Sequence, residues 1–379
     1  MAFFIADNII SPLGLTTEEN FQAAKNGHIG IETVNDPTIY PEAFPAAMIN
    51  DDLAMSNFSK IPADKNYTRL EKMLILSISD ALRNTDIDIT SRRTGFILST
   101  TKGNIDLLAS GKKNLFDKDR VTLWRLGQVI AGHFKNPNQP IVLSNACISG
   151  VLALNVAFML IYENKFDHVI VYGGDIVSRF VVSGFMSFLS LSPKACRPFD
   201  KARDGLSLGE AASTVILSKE ATGNNDIKYL GGASANDANH ISGPSRTGEG
   251  SYIAMQKAIK EAGILSKKID HISAHGTATP YNDEMESIAI DRHHMSEVPV
   301  NSLKGNFGHT LGAAGLVETS ILLEEMRSCT ILKTAGFSEL GVSRQINVIN
   351  QTTEKELGTC LKMASGFGGS NAAMIIQKK

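Results

Sequence analysis

The sequence predicts an α/β protein, and three observations carry the prediction. Short β-type apolar runs alternate with longer stretches of helical spacing along both halves of the chain. Several runs stop at small, turn-forming residues that lead into a helix, as at Ser144-Asn145-Ala146-Cys147-Ile148-Ser149-Gly150. The length, 379 residues, is long for one domain and suits two fused halves. With 43% hydrophobic and 20% charged residues, the composition is that of a core-forming globular enzyme. A net charge of -2 argues against a polyanion partner, so no nucleic acid is expected. No apolar run reaches membrane-spanning length, and the start Met1-Ala2-Phe3-Phe4-Ile5 lacks the basic region and cleavage site of a signal peptide. Cys147, Cys196, Cys329 and Cys360 are too widely spaced for a zinc pattern or a disulfide framework. No metal is expected, and a reducing cytoplasm is the simplest setting.

Taken in order, Phe3-Phe4-Ile5-Ala6 reads as a strand and Ser11-Pro12-Leu13-Gly14 as a turn. Thr16 and Glu19 have capping-box spacing, and Gly27 closes that helix. Residues 32–60 carry Pro37, Pro41 and Pro45 and read as a surface loop. Leu70, Met73, Leu74, Ile78, Ala81 and Leu82 predict a helix over 66–84. Its first turns carry Lys65, Arg69 and Lys72, which by themselves read as a solvated charged face. Residues 94–99 read as a strand, 120–134 as a helix, 140–143 as a strand and 151–162 as a buried helix. The strand 168–172 follows, so 140–172 forms a right-handed parallel unit. Residues 176–196 are apolar and aromatic, with Phe180, Phe185 and Phe188. Strands are expected at 212–218, 227–233, 269–274 and 298–302, and helices at 251–262, 283–293 and 316–327. Residues 234–250 read as a loop, and its glycines lack the spacing of a dinucleotide fingerprint. Two antiparallel strands, 360–364 and 372–376, flank the closing glycine loop.

Cys147 stands at the junction of a strand and a helix. Free amides and the helix dipole favour negative charge there, so a thiolate should form more easily. A buried, inert cysteine is the commoner reading of that residue alone. Two distant stretches change the balance: His275-Gly276-Thr277-Ala278-Thr279-Pro280, and Lys304-Gly305-Asn306-Phe307-Gly308-His309 with Thr310-Leu311-Gly312-Ala313-Ala314-Gly315. Each places a histidine just after an apolar strand and beside small residues. Either histidine alone reads equally well as a hydrogen-bonded core residue, and Lys304 with Glu318 as an ordinary ion pair.

With these stretches in this order, the chain resembles the β-ketoacyl-acyl-carrier-protein synthases, the condensing enzymes of fatty acid and polyketide synthesis. Arg197-Pro198-Phe199-Asp200, Asp204-Gly205, Gly209-Glu210-Ala211 and Gly366-Phe367-Gly368-Gly369-Ser370-Asn371 add to the resemblance, which covers nearly the whole chain. It implies an elongating synthase of Cys-His-His type with a thiolase-like, five-layered α-β-α-β-α fold of two similar halves, 1–222 and 223–379. It further implies Cys147 as acyl-accepting nucleophile, with His275 and His309 holding the malonyl thioester and stabilising its enolate. Lys304 and Glu318 would support the histidines. The amides of Cys147 and Phe367 would form an oxyanion hole, with the Phe367 ring as gate. Thr277 and Thr279 would bind the pantetheine arm, and Ile148 and Phe185 would wall the acyl pocket. Lys65, Arg69 and Lys72 would dock an acyl carrier protein bearing phosphopantetheine-bound acyl and malonyl groups. No cofactor is implied, because loss of carbon dioxide drives the condensation. A homodimer is expected, or a heterodimer with a related subunit. Three positions depart from the family's usual residues: Ile148 in place of a small residue, Asn145 in place of Thr, and Ser370 in place of Thr. The first two raise the alternative of a specialised polyene or polyketide system acting with a partner subunit. Cys147 argues against the non-catalytic chain-length subunits, which usually lack it.

Overall fold

The computed structural model describes residues 1–62, 65–83, 85–109, 115–221, 227–237, 243 and 245–378. Ten strands form one mixed sheet: β1 (Ala2–Ile10), β2 (Thr94–Ser99), β3 (Ile141–Leu143), β4 (His168–Asp175), β5 (Ala211–Ser218), β6 (Ile227–Asn236), β7 (His271–Ser273), β8 (Val300–Asn301), β9 (Thr359–Gly366) and β10 (Ser370–Lys378). Their spatial order is β8-β7-β9-β10-β6-β1-β5-β4-β2-β3. Read outward from the centre, β1-β5-β4-β2-β3 and β6-β10-β9-β7-β8 follow the same order. The pairings also match: β2 is parallel to β3 and β4, as β7 is to β8 and β9, and the remaining neighbours are antiparallel. The halves meet where β1 touches β6, at Ala2↔Tyr229 and Phe3↔Lys228.

Helices fill the space on both sides and between. The named ones are α1 (Thr17–Lys25), α2 (Arg69–Leu82), α3 (Leu123–His133), α4 (Ser149–Tyr162), α5 (Arg179–Ser187), α6 (Glu249–Glu261), α7 (Pro280–Arg292) and α8 (Ala314–Ser328). α2 packs on β1, β4 and β5 of the first half, and α6 on β6, β9 and β10 of the second. Between them lie α4 and α8, which touch each other. With each half of the sheet counted as one layer, this gives helix, sheet, helix, sheet, helix, the five-layered thiolase-like arrangement expected. α4 is apolar all round, as a helix buried between two sheets must be. Its Val151, Leu154 and Ala157 share one core with Val169 and Leu217 of the first half and Met374 and Ile376 of the second.

The central pair is held by glycines. A Cβ on Gly150 would lie 2.9 Å from the Gly315 Cα, and one on Gly315 would lie 2.5 Å from the Val151 nitrogen. Only residues without a side chain let the starts of α4 and α8 come this close. Among the described residues, no helix is long and apolar enough to cross a membrane.

Several local expectations are corrected. The surface loop read over 32–60 contains strands Ile31–Val34 and Phe44–Ala47 and a helix, Asp51–Phe58. Phe44–Ala47 is the middle strand of a small sheet completed by Leu208–Gly209 from far along the chain. The prolines hid a strand whose second partner is tertiary. α5 was read only as an apolar stretch. Thr16 caps α1 as predicted, but Glu19 returns to the Leu15 amide at 2.7 Å rather than to Thr16. The full capping box belongs to α2, between Thr68 and Glu71. The boundary expected between residues 222 and 223 lies outside the described residues, between β5 and β6.

Candidate active site

The reactive groups come together where α4 and α8 begin. β3 delivers the chain to Ala146, whose φ of 44° turns it sharply, and Cys147 follows just before α4. The Ser149 hydroxyl fixes this turn by accepting from the Asn145 amide and donating to the Ala146 carbonyl. His309 stands at the matching place in the second half, after β8 and before α8. Its amide donates to the Ser207 carbonyl and its carbonyl accepts from Gly209, which ties it to the Gly209-Glu210-Ala211 segment. His275 follows β7. The Cys147 sulfur and one ring nitrogen each of His275 and His309 all lie within 4.8 Å of one another, and all three residues are buried. The two rings meet edge to face, with centroids 5.2 Å apart.

Two carboxylates that sequence reasoning missed build the His275 loop. Glu286 accepts from the amides of His275 and Gly276, both at 2.7 Å. Asp283, one turn earlier on α7, accepts from Thr277, Ala278 and Phe199. Burial raises the Asp283 carboxyl, and it pushes Glu286 up to about 7. The available signal was the Asp-x-x-Glu spacing on the helix directly after His275, which puts both groups on one face. Asp175, at the end of β4, accepts from Gly312, three residues after His309, and from Thr101 and Lys102, which ties the His309 loop to the end of β2.

Lys304 and Glu318 are paired at 2.5 Å, both almost fully buried. The Lys304 ammonium also reaches the His275 carbonyl at 2.5 Å and its Nδ1 at 3.2 Å. An ammonium can only donate, so His275 Nδ1 accepts and the ring proton sits on Nε2. The Leu311 amide donates to His309 Nδ1, at 3.4 Å, and selects the same tautomer there. Burial, then the Lys304 charge, holds both imidazoles well below the usual histidine range. Two neutral rings therefore present Nε2–H donors.

Burial pushes the Cys147 thiol up to about 11, against the pull of the Lys304 and Lys102 charges and a backbone hydrogen bond from Phe367. This corrects the sequence expectation. Desolvation outweighs the neighbouring cations, so the resting group is a thiol. The Gly366–Gly369 turn lies over it, and a Cβ on Gly366 would come within 3.0 Å of the Cys147 amide. Glycine there keeps the space beside that amide open.

A cavity of about 610 Å³ opens onto these groups. Cys147, His275 and His309 reach it, as do Thr277, Thr279, Phe185 and Phe367. The Thr277 and Thr279 hydroxyls bond each other at 2.9 Å. The Phe367 ring sits between Phe185 and Phe188, at 5.7 and 5.3 Å. Ile148 does not line this cavity; its side chain is 1% exposed and packs into the central core with α4. Arg69 also departs from expectation. It forms a bidentate pair with buried Glu210, both contacts at 2.8 Å, and a second pair with Asp51. The guanidinium braces α2 against the Gly209-Glu210-Ala211 segment with its side chain 20% exposed, while Lys65 is exposed and Lys72 partly exposed.

Residues 5–222 match the beta-ketoacyl synthase N-terminal domain, and residues 228–338 match the beta-ketoacyl synthase C-terminal domain. The chain belongs to the β-ketoacyl synthase family. A 3-oxoacyl-[acyl-carrier-protein] synthase 2 of Rhizobium meliloti is 31% identical, covering 80% of this chain and 78% of the relative. A second, from Coxiella burnetii, is 28% identical over 98% of this chain and 96% of its own. Among solved structures, a ketosynthase in complex with its chain length factor from Xenorhabdus doucetiae superposes with a TM-score of 0.88, at 25% identity, over 100% of this chain and 98% of that one. The ishigamide ketosynthase/chain length factor matches equally well, with a TM-score of 0.88 at 25% identity over 100% and 99% of the two chains. Family membership makes this chain an acyltransferase.

Proposed function

We propose that this β-ketoacyl synthase elongates an acyl chain by decarboxylative Claisen condensation, with Cys147, His275 and His309 as its catalytic residues. The observation that carries the reading is the meeting of one cysteine sulfur and two neutral imidazoles at the floor of one cavity. In the first half-reaction Cys147 attacks an acyl thioester on the carrier's phosphopantetheine. The Cys147 and Phe367 amides receive the developing oxyanion. The new carbon–sulfur bond replaces the old one, and the thiol proton ends on the departing pantetheine sulfur. In the second, the malonyl carbon–carboxylate bond breaks and its electron pair moves toward the thioester oxygen. The two Nε2–H groups hold that enolate oxygen. The carboxylate departs as carbon dioxide, the enolate carbon attacks the Cys147 thioester, and the cysteine leaves as a thiolate that takes a proton from solvent.

Supporting roles follow from position. Lys304 and Glu318 fix the His275 ring. Thr277 and Thr279 line the route of the pantetheine arm, and Phe185 and Phe367 border the acyl end. Lys65 and Lys72 are the proposed contacts for an acidic carrier protein. The chain reads as two halves, 1–222 and 223–379, working in the cytoplasm as one of a pair of subunits joined through their central sheets. A specialised polyketide system with an unlike partner is the second reading, because two of the similar structures are ketosynthases paired with chain length factors. Intact-mass measurement after incubation with a panel of acyl-carrier thioesters tests the reading. The acyl mass should appear on Cys147 and be absent in Cys147→Ser; a wild-type chain that never gains it would overturn the assignment.

A further inference from the structure

Lys362 lies in β9 between Leu361 and Met363, and its side chain has no exposure. No step of the condensation described above uses it. Its Nζ contacts four oxygens: Glu318 Oε2 at 2.7 Å, the Met363 carbonyl at 2.8 Å, and the Ser273 and Ala274 carbonyls at 3.2 Å each. All four are acceptors. A protonated amine suits them, whereas a neutral one would turn its lone pair toward an oxygen. Burial pulls the ammonium down, and the Glu318 charge opposes this.

The neighbours of this group lead directly to His275. Ser273 and Ala274 are the two residues before it in the chain. Glu318 reaches Lys362 with one oxygen and Lys304 with the other, and Lys304 donates to both the carbonyl and Nδ1 of His275. The three charged groups thus form a closed bracket, attached at both ends to residues 273–275. The bracket itself sets two ammoniums against one carboxylate behind the ring that must meet a forming enolate, and the Glu286 carboxyl under the same loop interacts with both ammoniums.

We propose that Lys362 is a positioning residue for decarboxylation: an internal cation that fixes Glu318, and through Lys304 aims the His275 Nε2–H at the malonyl thioester oxygen. The proposal rests on the condensing role given to His275 above. It makes no demand on acyl loading, which takes place at the Cys147 and Phe367 amides.

The test compares wild type with Lys362→Met, which keeps length and removes charge. Malonyl-carrier decarboxylation and Cys147 acylation are followed in parallel, the second by intact mass. The turnover number for decarboxylation should fall about tenfold or more, with KM and the acylation rate held within about twofold. In Lys362→Ala, ammonium or potassium ions should restore part of the lost decarboxylation, and bulky tetramethylammonium should not. Unchanged decarboxylation in Lys362→Met overturns the proposal. So does a parallel loss of both half-reactions, rescue by neither small ion, or a chain that folds with neither substitution, since each makes the residue structural or irrelevant. If wild type itself neither loads nor decarboxylates, the condensing role falls instead.

Discussion

Arg69→Ala separates the docking role expected from the sequence from the structural role seen in the fold. Arg69 holds Glu210 with two contacts at 2.8 Å, and the Glu210 side chain is 1% exposed against 20% for Arg69. Without the guanidinium, Glu210 keeps, among the described residues, the Ile49 and Val177 amides, each at 3.0 Å. Removing one partner of a buried pair costs about 3–5 kcal/mol, because the remaining charge stays buried. A chain of this length has an unfolding entropy of roughly 0.8 kcal/mol per kelvin near its midpoint, so Tm should drop by about 4–6 °C. The assay is thermal unfolding of Arg69→Ala beside Lys72→Ala, together with the KM of each for its carrier thioester. Lys72→Ala should raise the carrier KM without moving Tm. An Arg69→Ala variant with unchanged Tm and a raised carrier KM would refute the bracing role and restore Arg69 to the docking surface.

Two further outcomes follow from the site. Because burial pushes the Cys147 thiol up to about 11, its alkylation by iodoacetamide should rise about tenfold per pH unit from roughly pH 7 to 9 as thiolate forms. A plateau in that range, read from mass spectra of the Cys147 peptide, would show that the helix start and Lys304 outweigh burial. Phe185→Ala should extend chain-length acceptance. Each added methylene that finds apolar contact is worth about 0.8 kcal/mol, so two carbons gain roughly tenfold in affinity where they fit. An unchanged chain-length profile would remove Phe185 from the acyl wall.

Much of this architecture was legible in the sequence because it depends on local signals. Residues 94–99 are a strand because Thr94 to Ser99 is a short apolar run between turns, and it matches β2 residue for residue. The helices α4 and α8 announced themselves by length and apolarity. Cys147, His275 and His309 stood out because each follows a strand and precedes small residues, as a backbone turning sharply into a site requires. What stayed hidden depends on partners distant in sequence. Arg69 looks like surface charge until Glu210 is brought to it. Ile148 looks like a pocket wall until α4 is seen to bury it between two sheets. The thiolate expected at a helix start met a desolvation cost that only the folded cavity reveals. Asp283, Glu286 and Lys362 were visible as charges in otherwise buried elements, but only their acceptors and donors show what they hold.

The repeated strand order explains why one site draws on both halves. Cys147 and His309 occupy equivalent places, each after the outer strand of its half and before its central helix. Their meeting therefore requires only that α4 and α8 start side by side, which Gly150 and Gly315 permit. This brings two helix N-termini to one point, and both favour the negative charge that appears on a thioester oxygen during condensation. Yet the sequence shows no repeat, because the halves need the same backbone path and different chemistry at its end. The first half ends that path in a sulfur and the second in an imidazole. A duplicated scaffold can afford such divergence where neighbouring groups are specific to one half, and the Lys304–Glu318–Lys362 bracket is confined to the second. A fixed cation belongs beside the histidines, where an enolate must be stabilised.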